Sequence, residues 1–102
     1  FGGAVSFTPE QYEQLNGYPN NYWGWGGEDD DIRVRLVECK LRILRPPEGV
    51  GELADLEGLD MRGKLDLLKR QQRRNPVQWE LMAATQRTWR HSGLSDLEYK
   101  VL

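Results

Sequence analysis

One cysteine, Cys39, in a chain of 102 residues excludes an internal disulfide and leaves the redox compartment open. No apolar run is long enough to cross a bilayer or to serve as a signal peptide. There is no internal repeat and no low-complexity tract. Charge of one sign is also scarce in bulk: the formal net charge is −2, which gives no reason to expect nucleic acid or an anionic membrane as partner. Apolar residues make up 38% of the chain, and a mean hydropathy of −0.73 puts it at the polar end of globular proteins. Such a chain forms one small domain at most, and it is stable only if little of it is disordered. The lone histidine, His91, sits beside Arg90 and reads as a surface residue near a turn.

The chain opens directly on Phe1-Gly2-Gly3-Ala4-Val5-Ser6-Phe7, a strand-like stretch with no turn before it. The expectation is a segment of a longer protein, with any targeting signal or membrane anchor outside it. Thr8-Pro9-Glu10-Gln11 is a helix start, with a hydroxyl N-cap, proline at the first helical position and a glutamine that can reach back. Tyr12 and Leu15 give this short helix its buried side, and Gly17 can end it in a left-handed conformation. Residues 18–27 mix turn formers with aromatics and read as an ordered loop. The acidic residues from Glu28 begin a second helix, with Ile32, Leu36 and Val37 facing inward and Arg33, Arg35, Glu38 and Lys40 outward. Cys39, on the same helix, reads as a small filler.

Leu41–Arg45 has the alternation of a strand and is closed by Pro46-Pro47. Residues 48–60 read as a loop. From Met61 to Arg74 the leucines among cations suggest an amphipathic basic helix, either a solvated face or a contact for a diphosphate or other polyanion. Asn75-Pro76 breaks it, and a further helix runs to about Arg90 with Trp79, Met82 and Trp89 along it. For these three, core packing and, at Trp79, a pocket wall are the competing readings. Leu97–Leu102 reads as a last strand. Strands and helices alternate, so the expected fold class is α/β, with few strands and flanking helices.

The densest signal is Trp23-Gly24-Trp25-Gly26-Gly27-Glu28-Asp29-Asp30-Asp31. Acidic residues at a helix N-terminus are ordinary capping, favoured by the unpaired N–H groups and the positive end of the helix. A functional reading competes with it. Indole faces beside clustered carboxylates suit a sugar, with flat apolar surface for the C–H face of the ring and acceptors for its hydroxyls. Gly24, Gly26 and Gly27 would let the backbone approach a ligand. Mutual repulsion raises some of these carboxylate pKa values while the helix end lowers them, so one could be tuned as a general base. Asp29 and Asp31 also spell Asp-x-Asp, but residues two apart on a helix point away from each other, which disfavours a shared divalent ion.

The stretch from Asn16 to Ile32 (NGYPNNYWGWGGEDDDI), with Phe1-Gly2-Gly3 upstream and Arg45-Pro46 downstream, resembles the C-terminal part of the β-1,4-galactosyltransferase catalytic domain. The likeness is nearly gapless from Phe1 to Pro46 and resumes at Gly93 to run to Leu102. Its GGEDDD ending is similar to the relatives acting on N-acetylglucosamine more than to those acting on xylose. The resemblance implies a GT-A fold with a Rossmann-like sheet, and an inverting, UDP-sugar-dependent hexosyltransferase that moves galactose from UDP-galactose to a glycan acceptor. It also implies Mn2+ as cofactor and the Golgi lumen as location, as in a type II membrane protein. Carried over, Asp29 is the general base. Glu28 and Asp30 hold donor and acceptor hydroxyls, and Trp25, with Gly26 and Gly27, belongs to the loop closing over the donor. Gly3 admits the sugars, and Trp79 lines the acceptor's acetamido pocket.

The chain departs from that pattern in three places. The family's first acidic metal motif would lie upstream of Phe1. After Val50-Gly51, where the family has its methionine and histidine metal ligands, this chain reads Glu52-Leu53-Ala54-Asp55-Leu56-Glu57-Gly58, which leaves Asp55 or Glu57 as substitutes or metal dependence weakened. The segment before Asn75-Pro76 is longer and more basic, and Gln78 stands for the family's arginine beside Trp79. The leading expectation is a transferase segment, residues 1–102, inactive in isolation. The alternative is a catalytically inactive carbohydrate-binding module or pseudoenzyme of the same family. A nucleic-acid binder would rest on residues 62–74 alone and is not expected.

Overall fold

A computed structural model describes residues 3–102, as four α-helices followed by two short 3-10 turns. Helix α1 (Pro9–Gln14) starts as the sequence predicts: Gln11 N–H donates to Thr8 Oγ1 at 3.2 Å and the Gln11 side chain accepts from Thr8 N–H at 3.0 Å. It ends through Asn16 and Gly17, at φ 59° and 64°. Gly17 N–H reaches Tyr12 O and Asn16 N–H reaches Glu13 O, the paired bonds of a Schellman turn. The same ending closes α2 (Glu28–Glu38), with Lys40 left-handed, and α3 (Met61–Arg70), with Gln72 left-handed. The basic helix therefore stops at Arg70, short of the predicted Arg74. Helix α4 (Gln78–Thr88) passes directly into the 3-10 turn Trp89–His91, and Leu94–Asp96 forms the second.

The predicted strands are corrected. Among the described residues there is no β-strand, and the one β-bridge is the parallel pairing of Trp25 with Arg74. The first predicted strand lies partly outside the described residues, at Phe1 and Gly2. The remainder, like residues 41–45 and 97–102, is not helical and pairs with no neighbour. A strand exists only by pairing, and alternation in the sequence supplies one side of a ladder but not the other. The Rossmann-like sheet of a GT-A fold is accordingly not formed by these residues, and the described architecture is helical.

The small core is Leu15 of the first turn with Ile32 and Leu36 of α2, and Phe7, Tyr18, Cys39 and Leu41 pack around it. Cys39 is thus the half-buried filler expected. Two assignments on α2 reverse. Val37 is 69% exposed, whereas Arg35 is fully buried beside Asp31. Periodicity alone places a cation outward. Arg35 turns inward because Asp31 neutralises it and because the carbonyls of Leu15, Asn16 and Gly17, left without helical partners at the end of α1, accept from its Nη1 at 3.3, 3.3 and 3.1 Å.

Candidate acceptor cleft

The N-terminus of α2 opens into a cleft of about 380 Å3 whose walls come from three separate parts of the chain. One wall is the Trp25-Gly26-Gly27 turn and the next three residues, Glu28, Asp29 and Asp30. The opposite wall is Gln78 and Trp79 at the start of α4. Met61 and Leu65 of α3, with Arg74, close the side. Seven of the eight site residues expected from sequence meet here. Gly3 does not: it is exposed, away from this cleft, with nothing within 4 Å of where a Cβ would stand.

The two tryptophans of the Trp-Gly run part company. Trp25 is 42% exposed in the cleft, while Trp23, 79% exposed, lies in a groove with Pro19, Asn20, Tyr22 and Asp96. The second indole of the cleft is instead Trp79, 67% exposed, so core packing does not hold it. Trp89, by contrast, is buried, with the Arg90 guanidinium 4.6 Å over its ring.

Chain contacts, not ligand approach, account for two of the glycines. Gly24 has φ +84°, and a Cβ there would stand 2.7 Å from Arg73 O. That close passage permits the bridge in which Trp25 N–H donates to Arg73 O at 2.6 Å and Asn75 N–H donates to Trp25 O at 2.9 Å. The space beside Gly26 is occupied by the Gln78 side chain. The basic segment after α3 therefore holds the Trp25 turn in place, a connection across some fifty residues that no local pattern announces.

Charge in the cleft is concentrated on α2. Partial burial, then the negative charges of Glu28 and Asp30, push the Asp29 carboxyl above its ordinary range, and the Tyr18 hydroxyl pulls the other way. Glu28 Oε2 is buried and has no hydrogen-bond partner within the chain. A carboxylate oxygen is an acceptor only, and no donor of the described residues reaches this one. Asp31 turns away: its Oδ1 accepts from Arg35 Nε at 2.6 Å, and its Oδ2 from Thr85 Oγ1 at 2.8 Å and Tyr22 OH at 3.2 Å. Burial, more than the nearby Asp31 charge, raises the Tyr22 phenol to about 12, so it remains a donor at neutral pH.

The residues offered as substitutes for the missing metal ligands do not suit a cation. Asp55 is ion-paired with Lys64, whose Nζ also lies 3.5 Å from Glu57 Oε2. Among the described residues no three His, Cys, Asp or Glu side chains are grouped to hold a metal ion. No helix among them is long and apolar enough to cross a membrane. Sequence reasoning missed Met61, Leu65 and Arg74 as cleft residues, because their place depends on how α3 folds back.

The family model described as "N-terminal domain of galactosyltransferase" matches residues 1–58. Beta-1,4-galactosyltransferase 3 of Rattus norvegicus is 39% identical over 102 residues, all of this chain and 24% of the relative. Beta-1,4-galactosyltransferase 1 of Mus musculus is 42% identical over the same share of each. Beta-1,4-galactosyltransferase 4 of Rattus norvegicus is 36% identical, across 27% of its length. The chain thus spans about a quarter of the length of these curated relatives. The likeness runs through the acidic cleft wall and its Trp-Gly turn, and on it the chain belongs to the β-1,4-galactosyltransferase family.

Proposed function

We propose that this chain forms the acceptor side of an inverting glycosyltransferase that moves galactose from UDP-galactose to an N-acetylglucosamine-type sugar of a glycan. The observation that supports the reading is the cleft itself, which Glu28, Asp29 and Asp30 line together with two part-exposed indoles, Trp25 and Trp79. Trp25 and Trp79 offer their faces to the C–H surfaces of the sugars, and Glu28 and Asp30 accept from hydroxyls. Asp29 takes the proton of the acceptor hydroxyl as that oxygen attacks the anomeric carbon. The bond to the UDP oxygen breaks on the opposite side, which inverts the centre. A carboxyl pushed above its ordinary range is better matched to this task than a free aspartate. Closure of the Trp25 turn and Arg74 over the donor would keep water from competing.

In this reading residues 1–102 are the C-terminal part of the catalytic domain, although the description of the matched family names an N-terminal one. The isolated segment is inactive because the nucleotide-binding half lies elsewhere. Gly3 meets the sugars only in the presence of that half. The Golgi lumen is the proposed location, with any membrane anchor outside these residues. Mn2+ belongs to the family resemblance, but the described side chains do not form its site, and no step above depends on it.

The test is Asp29→Asn in the whole protein that carries this chain. Transfer should fall by about 10²–10⁴-fold, while UDP-galactose affinity, measured by calorimetry, stays within twofold. Wild-type turnover in that variant rules out the base assignment. Absence of any turnover in the unmodified protein across a manganese titration, with glycan binding preserved, makes it the inactive carbohydrate-binding module instead.

A further inference from the structure

Three of the four carboxylates that begin α2 line the cleft, and the fourth does not. Asp31 is 2% exposed, and both of its oxygens are taken by side chains of the fold. Its bond to Thr85 is the one that crosses between helices, joining residues 54 apart in the chain. Thr85 is itself fully buried. Its single hydroxyl proton has a second possible acceptor in Leu81 O at 3.3 Å, but the shorter, charge-assisted contact with Asp31 is the stronger.

The buried positions of α4 are Gln78 and Thr85, neither of them apolar. They stand seven residues apart, two turns along one face. The register of α4 on α2 is therefore not fixed by a buried apolar ridge; of the two side-chain hydrogen bonds between these helices, Gln86 to Glu38 is exposed and 3.4 Å long, and Thr85 to Asp31, buried at 2.8 Å, is the directional contact that holds it. Trp79 lies six residues upstream of Thr85, about 9 Å along a helix rising 1.5 Å per residue, at the end of α4 that lines the cleft. Pinning Thr85 thus bears on where Trp79 stands in the cleft that Asp29 also lines. The same Asp31 carboxylate accepts from Tyr22 OH, which ties the loop leading into the Trp-Gly turn to the same point.

We propose that Thr85 is a positioning residue for the acceptor: through its hydrogen bond to Asp31 it holds α4 in register on α2 and sets the gap between Trp79 and Asp29, without touching the sugar. The proposal rests on the reading of the cleft as an acceptor site. It divides the acidic run by role, with Glu28, Asp29 and Asp30 facing the substrate and Asp31 holding the walls together.

The experiment compares Thr85→Val, which keeps the shape and removes the hydroxyl, with Thr85→Ser, which keeps the hydroxyl, in the whole protein. Thr85→Val should raise the KM for an N-acetylglucosamine acceptor about tenfold, with kcat and the KM for UDP-galactose within twofold of wild type. Thr85→Ser should stay within twofold throughout. An unchanged acceptor KM in Thr85→Val, or a Thr85→Ser variant as impaired as Thr85→Val, overturns the proposal. If Thr85→Val does not fold, Tyr22→Phe removes the weaker bond to the same carboxylate and should raise the acceptor KM about threefold, whereas no change overturns it. If the unmodified protein neither transfers nor binds sugar, the acceptor reading fails separately. Hydrogen exchange then decides the register: faster exchange of the α4 amides in Thr85→Val but not in Thr85→Ser sustains it, and equal exchange overturns it.

Discussion

Replacing Arg35 by Met tests whether the middle of this fold is held by charge. Arg35 is fully buried, its Nε 2.6 Å from Asp31 Oδ1 and its Nη1 shared among the carbonyls of Leu15, Asn16 and Gly17. Methionine fills similar length but leaves Asp31 as a buried charge without a counter-charge and strips the Leu15 and Gly17 carbonyls of their donor, while Asn16 O keeps the bond from Leu94 N–H at 2.9 Å. Removing one partner of a buried pair costs about 3–5 kcal/mol. Against a stability of about 5–15 kcal/mol for a domain of this size, that leaves the fold marginal. With a urea m-value of about 1–3 kcal/mol/M, the unfolding midpoint should drop by roughly 2 M. Urea unfolding followed by near-ultraviolet circular dichroism reads this directly. Adding Asp31→Asn to Arg35→Met should recover part of the loss, since the stranded charge is gone. A loss below about 1 kcal/mol, the size of an exposed ion pair, or a double variant as weak as the sum of the singles, refutes the reasoning.

Two further outcomes follow from the cleft. The Asp29 carboxyl is raised above its ordinary 3.8 by burial and by Glu28 and Asp30, and it must be ionised to act as base. The rising limb of the pH profile of acceptor kcat/KM should therefore lie above that value and move to lower pH in Asp30→Asn, where a repelling charge is lost; a limb unmoved by Asp30→Asn counts against the assignment. The linkage sign is the reverse for folding, because a carboxyl with a raised folded pKa favours the folded state when protonated, so this group adds stability as pH falls through that pKa. Gly24→Ala puts a methyl 2.7 Å from Arg73 O at a positive φ, costing about 1–2 kcal/mol for the backbone conformation alone. The amides of Trp25 and Asn75 should exchange faster in that variant, and unchanged exchange would show that the bridge tolerates the side chain.

Much of the local structure was legible from short-range chemistry. Thr8-Pro9-Glu10-Gln11 marks a helix start and Gly17 contributes to its end, because caps are made from residues within five positions of one another. The acidic start of α2 was legible for the same reason. Periodicity puts Arg35 outward, because its inward orientation depends on Asp31 and on the carbonyls of residues 15–17 that follow α1. The predicted strands do not form because alternation cannot provide a pairing partner, and the sequence does not choose between core and pocket for Trp79 because its exposure depends on where α4 docks.

The sequence by itself determined the start of α1, its ending near Gly17 and the run of carboxylates that opens α2, all products of hydrogen bonding and charge between near neighbours. It also carried the family likeness. Only the tertiary structure decided what holds Asp31 out of the cleft and that Arg74, with Met61 and Leu65, closes its side. Those choices are made by contacts between residues 49 to 54 positions apart, Trp25 with Arg74 and Asp31 with Thr85, where the chain's return path and not its local propensity selects the partner.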